Sequence, residues 1–429
     1  MVNNPASTHN PATRWWILAL ISLLMFGNYY VYDMVAPVAE QLERELGFSN
    51  TQIGTLNAIY SLPNMFLMLI AGIIIDRVGA RTVTVVAVTL CLLGTALTAA
   101  YGDFVTMAAG RLFFGIGSET MLVAVTVGIA IWFSRGGVAF AMALSLSIAR
   151  AGSYAADLSP VWASGIYEKG WQAPFFLATG FAISSLVFAL IYWWLDRRST
   201  APAPLEEVRP AETEGFQWRQ VFSFNRSFWY LLGLCVLFYS VIVPFRSTFS
   251  IKYFQHGHNL DLAEAATINS FVYLAAIFFT PLFGWIADKW GKRAFFMVLG
   301  SLLLPLSFVG LAAGGKGLWF TTILLGISYS LIPAILWPAV AKLVRASRLG
   351  TAYGLLFMIQ NAGLTLCNIV AGGLNDLNRA GADNPDGYIP MIIFFAVLAT
   401  GALAFAIALW RREKGPHSHG LELPGALKP

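Results

Sequence analysis

The chain has 429 residues, 57% of them hydrophobic and 11% charged, with a mean hydropathy of +0.67. A soluble domain carries about 45–50% apolar and about 25% charged residues, so an ordinary soluble fold is excluded. The formal net charge of +5 follows the membrane topology described below and gives no sign of a nucleic-acid partner.

Apolar stretches run near residues 15–37, 52–75, 82–101, 104–133, 138–163, 172–195, 227–251, 263–287, 294–313, 317–341, 350–374 and 388–410. Each is close to or above the ~20 residues that cross about 30 Å of hydrocarbon. The expected fold is therefore an all-α membrane protein of twelve transmembrane spans, with the lipid bilayer as its surroundings. The polar opening, residues 1–14, passes directly into a full-length span, so no cleavable signal is expected. Cys91, Cys235 and Cys367 all fall within spans at spacings that suit neither a disulfide framework nor a metal site. His9, His256, His258, His417 and His419 lie outside the spans or at their ends. No metal and no cofactor is expected.

Orientation follows from the basic residues. With both termini on one face, that face takes 19 Lys and Arg and the other takes five, with Arg111, Arg150 and Arg246 inside spans. Both termini are thus expected in the cytoplasm. Residues 196–226 are rich in Pro and Glu and lack apolar periodicity, which reads as a cytoplasmic linker. It divides a six-span half, residues 1–195, from a second, residues 227–410, followed by a cytoplasmic tail, residues 411–429.

The halves share a motif. "GIIIDRVGAR" (72–81) follows span two and "GWIADKWGKR" (284–293) follows span eight, each of the form G-x-x-x-D-[RK]-x-G-x-R. Two copies at equivalent places in a twelve-span chain resemble the major facilitator superfamily, whose fold is two six-helix halves. The resemblance implies that these loops latch the halves together in one conformation, and it assigns gating to Asp76, Arg77, Arg81, Asp288 and Arg293.

Charges inside the bilayer are costly unless they face a partner or a watery cavity. Glu119 lies midway along span four and Arg150 midway along span five, so both reach the bilayer centre at similar depth. They read either as a substrate site or as an ion pair locking the two spans. Asp33 and Arg111 repeat that arrangement nearer the outer side. The R-x-x-x-G-x-G spacing of Arg111, Gly115 and Gly117 resembles a structural signature of the superfamily, and Arg111 is expected to brace span one. Arg246, beside Pro244, is expected to snorkel to the outer interface.

Polar residues mark wet or glued helix faces. Asn57, Tyr60, Ser61 and Asn64 form one stripe, Asn361, Thr365 and Asn368 another, and Tyr29 and Asp33 lie one turn apart on span one. Pro63, Pro244 and Pro333 are expected to bend their spans.

A closer resemblance rests on "FGNYYVYDMVAP", "YSLPNMFLMLIAGIIIDRVG", "GRLFFGIGSETMLVAV", "ALSLSIARAGS", "INSFVYLAAIFFTPLFGWIADKWGK", "LLGISYSLIPAILWPAVA" and "LGTAYGLLFMIQNAGL". In this order, over nearly the whole chain, they are similar to the major facilitator superfamily domain-containing protein 1 family, the lysosomal dipeptide transporters. The resemblance implies a dipeptide uniporter that needs an acid on span four and an arginine on span five, which match Glu119 and Arg150. The chemistry agrees, since a zwitterion presents an ammonium to the acid and a carboxylate to the guanidinium. The expected binding set is Tyr29, Asp33, Asn57, Tyr60, Glu119, Arg150, Asn269, Tyr273, Tyr329, Trp337, Gln360 and Asn361.

The chain departs from the lysosomal members in two respects. Residues 1–14 contain no leucine for a dileucine sorting signal, and the one N-x-S/T site, at Asn225, falls on the cytoplasmic side. These features favour a prokaryotic plasma membrane over the lysosomal alternative and a monomer without the accessory subunit. Two readings of the cargo remain: a dipeptide, or a small organic acid, sugar acid or siderophore moved with or without protons. The second requires Arg150 and Arg246 but not the charge of Glu119. An enzyme is not expected, because no span carries a metal cluster or a nucleophile beside a histidine.

Overall fold

The protein is described by a computed structural model covering residues 11–134, 137–199, 224–315, 317–345 and 348–423. Most of the expected linker, residues 200–223, lies outside the described residues, as do the basic residues Arg135, Arg209, Arg219, Lys316 and Lys428.

Among the described residues, eleven helices are long and apolar enough to cross a membrane. A twelfth is completed by Asn50–Leu67 and Ile70–Val78, which meet at 65°. Span one is Pro11–Asp33, continued by Val35–Leu46; span two is Asn50–Ser61 with Asn64–Val78; span three is Ala80–Ala100 and span four Phe104–Trp132. Span five, Val138–Asp157, stops short of the expected residue 163 and is followed by two single turns, Ser159–Trp162 and Ser164–Tyr167. Span six is Gln172–Arg198. Span seven runs through Arg226–Pro244, a π-helical turn Phe245–Phe249 and Ser250–His258. Spans eight to twelve are Leu262–Trp290, Arg293–Ala313, Gly317–Leu343, Leu349–Leu377 and Ile389–Glu413.

Local chemistry sets these boundaries. Ser49 and Gln52 form a capping box at the start of span two, and Asp103, Asn225 and Asp261 each accept a first-turn N–H at the starts of spans four, seven and eight. The second glycine of each repeated loop, Gly79 and Gly291, takes positive φ (90° and 67°), which ends one helix and turns the chain into the next. Pro63 lacks an N–H and interrupts span two, and Asn64 Nδ2 then donates to the Tyr60 carbonyl at 3.0 Å.

The buried apolar side chains form two groups. Apart from Ala36, one cluster belongs to residues 228–421, while three others belong to residues 17–192. The two bundles meet tightly on the face opposite the chain termini. There Asp376, near the end of span eleven, accepts from the N–H groups of Asn50 and Thr51 at 2.8 Å each, and Lys252 donates to Asn50 Oδ1 at 2.8 Å and pairs with Glu43. His256 Nε2 lies 2.7 Å from Glu40. Glycine permits the close approach. A Cβ on Gly54 would stand 2.4 Å from the Asn368 carbonyl oxygen, and one on Gly372 would stand 2.5 Å from that of Asn50. On the termini-bearing face no cross-bundle hydrogen bond or ion pair occurs among the described residues. Among the described residues the bundles are therefore tied by hydrogen bonds on one face and not on the other.

Candidate functional site

Between the bundles lies a cavity of about 480 Å³, within the size range of small-molecule sites. Of the twelve expected binding residues, nine line it: Tyr29, Tyr60, Glu119, Arg150, Tyr273, Tyr329, Trp337, Gln360 and Asn361. Asn28, Tyr32, Ser118, Tyr239, Thr280 and Phe357 complete much of its wall. These six were not in the expected set. Asn28 and Ser118 adjoin Tyr29 and Glu119 in sequence, and that adjacency was the signal available.

Glu119 projects from the middle of span four. Tyr60 Oη donates to its Oε1 at 2.9 Å and lies 3.2 Å from Ser118 Oγ, which in turn accepts from Asn28 Nδ2 at 2.7 Å. This chain of hydrogen bonds holds the carboxyl group in place. Arg150, from span five, reaches across to the other bundle, where it donates to the Ala276 carbonyl at 3.1 Å and to Thr280 Oγ1. Its guanidinium centre lies 5.6 Å from the Tyr329 ring centroid. No ion pair joins Glu119 to Arg150 among the described residues. The cavity thus offers a carboxyl group and a guanidinium held apart by separate partners.

The rest of the wall is aromatic. Trp337 stacks on Phe357 at 4.6 Å between ring centroids, and its Nε1 donates to Tyr239 Oη at 3.0 Å. Such rigid surfaces accept varied apolar groups at little entropic cost.

Three members of the expected set lie outside the cavity wall, and the two outer charges pair differently from expectation. Arg246 does not snorkel: it is 2% exposed and bridges Asp33 and Asp157, each at 2.8 Å, with its guanidinium 3.9 Å from the Tyr273 ring centroid. Asp33 therefore pairs with span seven and not with Arg111. Asn57 donates to the Ser247 carbonyl at 2.9 Å and to Thr248 at 2.8 Å, and Asn269 donates to the Arg246 carbonyl at 3.4 Å. Both are buried in the seal. The polar stripe of span eleven likewise divides, with Asn361 in the cavity, Thr365 on the Ala58 carbonyl and Asn368 on Thr248.

Arg111 braces two spans. It donates to the carbonyls of Val31, Tyr32 and Leu56 at 3.3–3.4 Å and to Asn57 Oδ1 at 2.5 Å. Gly115 lets span four approach the break in span two, since a Cβ there would stand 2.5 Å from the Tyr60 carbonyl. Arg111→Met leaves these buried acceptors without donors and is expected to cost about 3 kcal/mol. The melting temperature of the purified protein should fall by several degrees; an unchanged value refutes the bracing role.

The repeated loops make no hydrogen bond or ion pair with each other among the described residues. Asp76 and Arg77 are exposed and make no hydrogen bond or ion pair among the described residues. Arg81 pairs with Asp196 at 3.2 Å, and Arg293 pairs with Asp288 at 2.9 Å while donating to the Leu423 carbonyl of the tail at 3.3 Å.

Sequence and structure comparisons agree with this architecture. The sequence model described as the Major Facilitator Superfamily matches residues 21–366 and 245–425. The lysosomal dipeptide transporter MFSD1 of Danio rerio is 31% identical over 409 residues, covering 92% of this chain and 86% of that protein. The probable sulfoacetate transporter SauU of Cupriavidus necator is 24% identical over 425 residues, covering 91% and 93%. Among solved structures, a bacterial homologue of the human lysosomal transporter Spinster superposes with a TM-score of 0.75 at 16% identity, covering 93% of this chain and 97% of that one. The nucleoside transporter NupG does so with a TM-score of 0.72 at 14% identity, covering 93% and 99%. The chain is a multi-pass membrane transporter that belongs to the major facilitator superfamily, in the family of the lysosomal dipeptide transporter MFSD1.

Proposed function

We propose that the protein carries dipeptides by alternating access and uniport, with Glu119 receiving the substrate ammonium and Arg150 its carboxylate. The observation that carries this reading is the pair itself: opposite charges on one cavity wall, each oriented by its own partners and neither quenched by the other. A zwitterion satisfies both by charge-assisted hydrogen bonds, while the Trp337, Phe357 and Tyr239 surfaces take side chains of different shape. The relatives named as dipeptide transporters support the same cargo.

The excess of Lys and Arg on the termini-bearing face supports cytoplasmic termini. We place the protein in a plasma membrane, with a lysosomal membrane, as in the MFSD1 relatives, as the alternative location. On this orientation the parted face is cytoplasmic and the conformation inward-open. Asp76, Arg77, Arg81, Asp288 and Arg293 then serve the opposite conformation, in which the cytoplasmic loops meet. A second reading, a carrier of small organic acids, draws on the SauU relative and uses Arg150 without the charge of Glu119.

Thermal stabilisation separates the two. A ligand at 100 times its Kd stabilises by about 2.7 kcal/mol, so free dipeptides should raise the melting temperature while their N-acetylated and C-amidated forms do not. Stabilisation by amine-free acids alone would overturn the dipeptide reading.

A further inference from the structure

In the seal, two carboxylates converge on one guanidinium. Asp33, at the end of span one, accepts from Arg246 Nη1, and Asp157, at the end of span five, accepts from Nη2. Both aspartates have no solvent exposure. Each uses a single oxygen, and Asp33 Oδ2 and Asp157 Oδ2 are buried without a hydrogen-bond partner. A bare oxygen on a dry carboxylate is costly, whereas a neutral carboxylic acid is far less so.

The other ionisable groups facing the trio decide which acid is less supported. They are Tyr29 and Tyr32 of span one, Tyr167 of the turn after span five, Tyr273 of span eight and Arg111 of span four. Phenols are neutral at ordinary pH. Arg111 spends its N–H groups on the carbonyls and amide described above, yet its positive charge acts on Asp33. Among the described residues Asp157 has a share of Arg246 as its one cation, with the neutral amide of Asn269 beside it.

We infer that Asp157 is a proton-binding site in the seal, protonated while the seal is closed and ionised once the seal opens and water reaches it. The trio is enclosed by the seal and contributes no side chain to the cavity wall, so its proton exchanges with the compartment on the sealed face. Acid on that side favours closure without any proton crossing the membrane. The closed form binds the extra proton, so the ratio of closed to open rises as pH falls, by up to about tenfold per pH unit for one proton. This holds whichever solute is carried.

The test is a distance measurement between spin labels at Lys169→Cys and Asp383→Cys, two exposed positions on the sealed face in different bundles, with the full chain in nanodiscs from about pH 4 to pH 9. The long-distance population should grow with pH in the otherwise unchanged protein. It should stay small at every pH in Asp157→Asn, whose amide carries no charge, and the response should also be lost in Asp33→Asn, which leaves Arg246 to Asp157 alone. His256→Gln removes the imidazole beside Glu40 and should retain the response. A pH-independent distance, a full response in either aspartate variant, or a response lost in His256→Gln overturns the inference.

Discussion

Arg150→Ala is expected to lower dipeptide uptake into proteoliposomes by about 100-fold. Truncating one partner of a desolvated charge pair costs about 2–5 kcal/mol, and each 1.4 kcal/mol is about tenfold. Arg150→Lys should restore little, because an ammonium cannot offer a carboxylate the planar pair of donors. The arginine also ties the bundles together through Ala276 and Thr280, so loss of uptake in the alanine variant could reflect either role. Arg150→Gln keeps donors for those two oxygens and discards the charge. If glutamine transports as wild type does, Arg150 is a brace and the cargo's carboxylate is read elsewhere. Glu119→Gln should be nearly as damaging for free dipeptides and harmless for amine-free acids. Equal losses for both would count against its reading of an ammonium.

Gly372→Ala is expected to open the sealed face. Its Cβ would stand 2.5 Å from the Asn50 carbonyl oxygen and 2.8 Å from Thr51 Cα, all backbone atoms of the opposite bundle. No side chain there can swing away, so the strain of about 1–3 kcal/mol falls on the closed conformation alone. That shifts the ratio of closed to open by roughly ten- to a hundredfold. Gly54→Ala, facing the Asn368 carbonyl from the other side, should act alike. The same pair of labels on the sealed face reads the shift. A lowered melting temperature with an unchanged distance would mean that these helices stay together throughout the cycle.

The sequence carried the architecture because apolar windows, basic-residue counts and a duplicated loop are one-dimensional signals. Glu119 and Arg150 were legible for a related reason: a charge at mid-bilayer must face inward, and equal depth brings two such charges to one level. Their freedom from each other was not legible, since it depends on Tyr60, Ala276 and Thr280 supplying separate partners. The partner of Asp33 was also misjudged. Depth alone favoured Arg111, but the turn Phe245–Phe249 is π-helical, which offsets side chains from the α register, and Arg246 lies within it, directed between the bundles. Asp376 gave no signal at all. A carboxylate at a helix end ordinarily needs no protein partner, and its role arises only from the approach of span eleven to span two.

That last contact has a further consequence. The first turn of a helix always leaves N–H groups without intrahelical acceptors, and a chain ordinarily settles that deficit for good when it folds. In span two the deficit is met by an acid from the other bundle, with Oδ1 on Asn50 and Oδ2 on Thr51. Each time the bundles part there, water must take over those donors, and each time they close the carboxylate displaces it. On the proposed alternating-access cycle, completing a helix terminus, elsewhere a single event in the life of a protein, is repeated with every turnover.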